Sequence, residues 1–188
     1  MGILKGLLVV LGSYAVIALA KIYPVFLLPP QSVGSFSGLL GMPSIGSYIL
    51  LIPFTLISGV ILWLGRAFLA NQLAYRIFKA KAGFREELGD FGLVHFPLIF
   101  VGLSSMIIFV FGLSNIGIFA SLFLCMFFFL LMYTYFVNVV MSHHKLNWKK
   151  ALFVIALMEV IIAVVMFFAG LIALHPLMQN SLMSMTTI

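Results

Sequence analysis

Glu159 is the residue of this chain whose chemistry most needs an explanation. It is the only acid outside positions 86–90, and it stands within the apolar run LFVIALMEVIIAVVMFF. An ionisable group in such a run costs about 2.5–3.5 kcal/mol to insert at the centre of a bilayer helix, so it should face protein and find a partner. Counted from Ala151, Glu159 lies about 12 Å along its helix at the usual rise per residue. Residues at matching depth on the preceding apolar stretch are Tyr133, Thr134 and Tyr135, with Asn138 one turn away. Arg66 closes a different apolar stretch at a compatible depth. The expected contact of Glu159 is therefore with Arg66 or a tyrosine, with Asn138 as a further candidate. Two roles fit such a group: a polar clamp between helices, or an ion, proton or substrate site. The clamp demands less of the sequence.

The other polar residues suggest less. His143 and His144 are adjacent, and neighbouring helical positions point about 100° apart, so they chelate one ion poorly. No acid or Cys follows them at helical spacing, and an interfacial polar pair beside Lys145 is the expectation, with no metal site. His95 and His175 each stand beside a proline at an expected helix end and are also expected at the interface. Ser58-Gly59 and Ser104-Ser105 read as small residues at close helix contacts. Cys125 is the only cysteine, so neither an intrachain disulfide nor a cysteine metal site is available. No Ser-His-Asp set, HExxH, Walker loop or GxGxxG segment is present, and neither enzymatic activity nor a cofactor is expected.

These residues sit in a sequence that must live in lipid. Of its 188 residues 64% are hydrophobic and only 7% are charged, against about 25% charged in a soluble domain. A chain of this size cannot bury so much apolar surface in one water-facing core. A soluble enzyme, a disordered segment and a nucleic-acid-binding domain are excluded, despite a net charge of +6. Five stretches reach the roughly 20 apolar residues a membrane helix needs: Leu4–Leu28, Ser47–Leu69, Val94–Leu113, Gly117–Met141 and Ala151–Leu174. Pro53 and Pro97 fall in first turns, and His175-Pro176 closes the last stretch. Barrel strands would show runs of about ten residues with alternating polarity, which these continuous runs lack. The expected fold is all-α: one polytopic transmembrane domain over residues 1–188, built as a bundle of five helices.

The connections orient it. The segment from Pro29 to Gly46, the Ser114-Asn115-Ile116 turn and the tail beyond Pro176 carry no charge. Every basic residue except Lys21 falls on the alternate side, which the positive-inside rule makes cytoplasmic. The N-terminus is expected inside and the C-terminus outside, with Lys21 reaching the outer interface through its long side chain. Between the second and third spans, residues 70–92 are expected to form a cytoplasmic amphipathic stretch, its helix able to continue the second span and lie on the inner membrane face. Phe68, Leu69, Leu73, Ile77 and Phe78 recur at helical spacing there, Gly83 is a candidate stop, and a short helical turn follows at Phe84–Leu88. Arg76, Lys79 and Lys81 are expected to contact anionic lipid headgroups. Lys5, the apolar stretch to Ala20 and the Ala18-Leu19-Ala20 triplet resemble a signal peptide, but apolar residues resume at Ile22, so a retained span is expected. No internal repeat is evident, and an odd number of spans does not fit a two-fold inverted repeat.

KAKAGFREELGDFGLVHFPLIF, residues 79–100, and HHKLNWKKALFVIAL, residues 143–157, resemble the YIP-domain family of Rab/Ypt-interacting proteins and their prokaryotic relatives. A basic, glycine-containing stretch, an aromatic and acidic helical turn and a span with an early proline occur there in this order. The resemblance spans residues 69–174 and rests on soft hydrophobic patterns. It implies a five-span, non-enzymatic protein of a prokaryotic cytoplasmic membrane that holds a partner or organises membrane through its cytoplasmic loops. Eukaryotic members carry a cytosolic segment before the first span; here only four residues precede it, which points away from Rab binding. The alternative is a small transporter or channel subunit using Glu159. A protein partner at the cytoplasmic loop and self-association both stay open.

Overall fold

The computed structural model describes residues 2–27, 45–110 and 115–185, with side chains at 2–22, 50–106 and 116–171. Among them the chain forms helices and no strand: α1 (Gly2–Leu27), α2 (Ile45–Phe78), α3 (Phe84–Leu93), α4 (Pro97–Val110), α5 (Asn115–His144) and α6 (Trp148–Met185). Five stretches are long and apolar enough to cross a membrane: Gly2–Ile22, Leu50–Phe78, Phe84–Met106, Ile116–His144 and Trp148–Leu171. Most of the first uncharged connection and Ser114 lie outside the described residues.

α1 is the hub, packing on α2, α3 and α4; α5 lies between α4 and α6, and α6 returns to α2. The N-terminal turns of α1, the end of α2, α3, the end of α5 and the start of α6 meet at one end of the bundle. Gly6 there touches Gly92, His144 reaches Glu87, and the Phe78 ring meets Phe153 edge-on at 6.3 Å. This end carries every basic residue except Lys21 and Arg66.

Element boundaries depart from the sequence expectation in informative ways. Residues 70–78 continue α2 without a break, as the amphipathic spacing allows. The buried stripe of α2 below Trp63 is small: Ala67, Ala70 and Ala74 face protein, whereas Phe68 and Ile77 are exposed. In lipid the large apolar groups need no shelter, and small residues let helices approach. α2 stops at Lys79, which takes a left-handed φ of 56°, and the Lys79 and Ala80 amides still donate to Tyr75 and Ala74 carbonyls. Gly83 is not that stop; it is the N-cap of α3.

By length and composition the third candidate segment runs from Phe84, and the expected start near Val94 falls at the turn between α3 and α4. α3 buries Glu87, Leu88, Gly89, Phe91 and Gly92, so the end of the stretch expected as cytoplasmic loop packs inside the bundle, while residues 83–86 are exposed. Val94, His95 and Phe96 follow as a tight turn whose amides bond to residues three or four back. Pro97, lacking an N–H, then opens α4. Pro53 lies within α2 rather than in its first turn. α6 runs on to Met185, past His175 and Pro176.

The crossing of α1 and α3 rests on glycine. A Cβ on Gly6 would stand 2.5 Å from the Gly89 carbonyl oxygen, and one on Gly92 would stand 2.4 Å from the Gly6 Cα. The backbones themselves are the contact surface, and Gly2-xxx-Gly6 against Gly89-xx-Gly92 is a small-residue interface of the membrane kind. Gly59 similarly receives the Tyr14 ring, 2.4 Å from an ideal Cβ. Gly6→Val and Gly92→Val should each lower stability by roughly 1–3 kcal/mol, the usual cost of forced overpacking. Gly12→Val should be nearly silent, since a Cβ at Gly12 meets nothing within 4 Å. Thermal unfolding of the three variants in mild detergent tests the contrast.

Candidate functional site

Two polar clusters lie within the candidate spans, and each begins with a carboxylate that needs a cation. Glu159 on α6 faces Arg66 on α2: Nε stands 2.9 Å from Oε1 and Nη2 stands 3.3 Å from Oε2. The pair is bidentate and largely sheltered, with side-chain exposures of 12% for Arg66 and 22% for Glu159. Both carboxylate oxygens are occupied, the strong geometry for this pairing. Arg66 also lies 5.5 Å from the centre of the Phe136 ring. The Tyr14 hydroxyl is in hydrogen-bonding reach of Arg66, and that of Tyr133 is in reach of Glu159.

Helix geometry decides which expected neighbours join. Tyr133 shares the buried face of α5 with Phe136 and Met132. Tyr135 is 46% exposed on another face and lines a groove with Asn138. Depth alone nominated both; residues two apart on a helix point in nearly opposite directions, so Tyr135 and Asn138 do not belong to the Glu159 cluster. Thr134 is exposed and bonds to Leu130 of its own helix.

His95 is not interfacial. Its side chain has no solvent exposure and stands edge-on to Phe136 with centroids 5.6 Å apart. Nδ1 lies 2.8 Å from the Phe91 carbonyl, which assigns it the proton and leaves Nε2 as a bare acceptor. Nε2 has no hydrogen-bond partner among the described residues. Tyr14, Arg66, Phe136 and His95 therefore form one connected patch across α1, α2, α5 and the turn before α4.

The second cluster clasps α3. Glu87 is completely buried; its Oε2 accepts from Asn71 of α2 at 2.6 Å, and its Oε1 lies 2.9 Å from His144 Nε2. The other His144 nitrogen faces the Ala80 carbonyl at 3.4 Å. Both ring nitrogens face oxygen acceptors. One helical turn on, Asp90 Oδ2 lies 2.8 Å from His143 Nε2. The adjacent histidines thus take one carboxylate each, from positions three apart on α3. The expected interfacial pair is corrected accordingly: His144 is buried and His143 is 16% exposed. Trp63 adds a bond from its indole N–H to the Leu88 carbonyl at 2.9 Å.

Arg76, Lys79 and Lys81 are all exposed at the basic end of the bundle. Among the described residues no group of three or more His, Cys, Asp or Glu is placed to hold a metal ion. Ser104 and Ser121 join α4 to α5, the Ser121 hydroxyl donating to the Ser104 carbonyl at 2.8 Å.

The Arg66–Glu159 pair lends itself to a double-mutant cycle. Removing either partner leaves a sheltered charge, so Arg66→Leu or Glu159→Leu should each cost about 3 kcal/mol, the lower part of the range for broken buried pairs. The double variant should recover most of that loss, because apolar replacement of a whole pair is often neutral. Glu159→Gln keeps an acceptor and should cost less than Glu159→Leu. Unfolding in detergent reads all four.

No family model, curated protein or solved structure matches the chain, and the functional reading therefore rests on these residues themselves.

Proposed function

We propose that this chain is a non-enzymatic integral membrane protein of YIP type, with a scaffold or membrane-organising role exercised from its basic, cytoplasmic end. The observation that carries the reading is the segregation of charge. Glu87, Asp90 and Glu159 are each taken up by a histidine or arginine inside the structure. Lys5, Arg76, Lys79, Lys81, Arg85, Lys145, Lys149 and Lys150 are left exposed around one end, with Glu86 as the acid without an ion pair. Such a surface attracts an anionic leaflet, each basic residue near the headgroups contributing about 1 kcal/mol. The family resemblance of residues 79–100 and 143–157 supports the same reading from the sequence, as does the positive-inside pattern that places the N-terminus inside and the C-terminus outside.

A second reading, a small transporter or channel subunit using Glu159, draws on one observation: the buried, unpartnered Nε2 of His95 lies close to the Arg66–Glu159 pair. Against it stands the bidentate closure of that pair, which leaves neither carboxylate oxygen free for a passing ion.

Charge reversal to Glu at Arg76, Lys79 and Lys81 together should sharply reduce the anionic lipid that co-purifies from vesicles containing phosphatidylglycerol, and added salt should reduce it in the parent protein. Unchanged retention would sink the proposed role. A reporter fused after Lys81 should read cytoplasmic and one after Ile188 external. Loss of an ion flux in Glu159→Gln, with stability retained, would favour the transporter instead.

A further inference from the structure

Two cavities meet at Asp90, and their walls differ in kind. The first holds about 590 Å³ at the basic end and is lined by Gly2, Ile3, Arg85, Glu86, Asp90 and His143. The second holds about 630 Å³ and runs between α1, the α3–α4 turn and α5. Its walls include Val9, Val94, Phe96 and Val139, and its polar groups Asn138 and Ser142 stand toward the end of α5 that bears His143. Asp90 is thus the wall common to a polar basin on one side and an apolar groove on the other.

The basin holds charge of both signs that the fold leaves unused. Arg85 and Glu86 are exposed and make no ion pair or hydrogen bond through their side chains to described residues. They are consecutive on α3, and neighbouring helical positions do not face each other, so they cannot neutralise one another. Asp90 gives one oxygen to His143 and is 49% exposed, which keeps its other oxygen available at the junction of the two cavities. One cation beside two carboxylates suits a ligand that is itself zwitterionic, with a phosphate for Arg85 and a hydrogen-bonding ammonium for Glu86 and Asp90. The groove beyond Asp90 suits an apolar chain attached to it.

We propose that this pair of cavities flanking Asp90 is a binding site for one phospholipid carrying a primary ammonium headgroup, the headgroup in the basin and an acyl chain in the groove. This goes beyond attraction of a basic surface to an anionic leaflet, since it selects a net-neutral lipid through residues outside the Arg76–Lys81 stretch. The phosphate takes the Arg85 guanidinium and the ammonium donates to Glu86 and to the free Asp90 oxygen, leaving the Asp90–His143 contact in place.

The test uses the full chain reconstituted in nanodiscs of equal phosphatidylethanolamine and phosphatidylglycerol, then released into mild detergent, with retained lipid counted by native mass spectrometry. One phosphatidylethanolamine per chain should persist. Arg85→Gln and Glu86→Gln break no side-chain hydrogen bond or ion pair among the described residues. Arg85→Gln, which loses the phosphate contact, should lower retention of both lipids, whereas Glu86→Gln should lower phosphatidylethanolamine relative to phosphatidylglycerol about fivefold, the size of one exposed charge pair. Val139→Trp should fill the groove and remove the retained lipid, with unchanged thermal unfolding as the check on folding. Equal retention of the two lipids, selectivity unmoved by Glu86→Gln, or total retention unmoved by Arg85→Gln overturns the proposal. Charge reversal at Arg76, Lys79 and Lys81 leaves both cavities intact, so this inference and the proposed function fail separately.

Discussion

A carboxylate withdrawn from water must be met by a donor, and the arrangement of this bundle follows from how Glu87 is met. With no exposure of its own, it draws Asn71 from α2 and His144 from the last turn of α5. Those two contacts tie the part of α2 just past Leu69 and the last turn of α5 to α3. They also make room for α3 inside the bundle, where an isolated charged segment would stay at the surface. Arg66 and Glu159 repeat the solution between α2 and α6. α2 supplies a partner to both carboxylates, so it ties the two polar clusters to one rigid element.

Pairing alone does not bring α3 close enough. The α1–α3 crossing needs backbone against backbone, and glycine at positions 6, 89 and 92 is what permits it. Close approach then sets the register: with Gly92 against Gly6, Phe91 turns inward to Phe136 at 5.1 Å, and the Ser13 hydroxyl meets the His95 carbonyl at 2.9 Å. The polar clasp and the glycine crossing act on opposite faces of one ten-residue helix. Either alone would leave α3 with an unburied apolar or an unpaired charged side.

Hydrophobic length made the five spans legible, because crossing a bilayer imposes a run that nothing else in a short chain requires. The Arg66–Glu159 contact was legible for a related reason: a charge in an apolar run has few partners at its depth. What depth could not supply was angle, and so Tyr135 and Asn138 were placed at the wrong face while Tyr14, on α1, was missed. The histidines misled through their positions. His95 stands beside a proline and His143-His144 at a helix end, which reads as interface, yet the only acids at that side of the membrane are Glu86, Glu87 and Asp90. Counting those acids against the two histidines, and noticing that Glu87 and Asp90 share a helical face, was the available signal. The Gly2-Ile-Leu-Lys-Gly6 spacing was another, hidden because it overlaps the first charged residue of the chain.

The packing is uneven along the membrane axis, and the same energetics accounts for that. Around the basic end, helices meet through glycine and alanine, and buried polar groups are closed off. Farther along α6, from Ala163 to Leu171, every side chain is exposed around the whole helix, and on α5 Phe119, Leu122, Phe123 and Met126 are exposed as well. In water such surface would drive collapse; in hydrocarbon it gains almost nothing from protein over lipid. Tight packing therefore concentrates where Glu87 and Glu159 must be sheltered, and relaxes where the sequence is uniformly apolar. The carboxylates, few as they are, determine where this protein is a compact structure and where it is a set of helices standing in lipid.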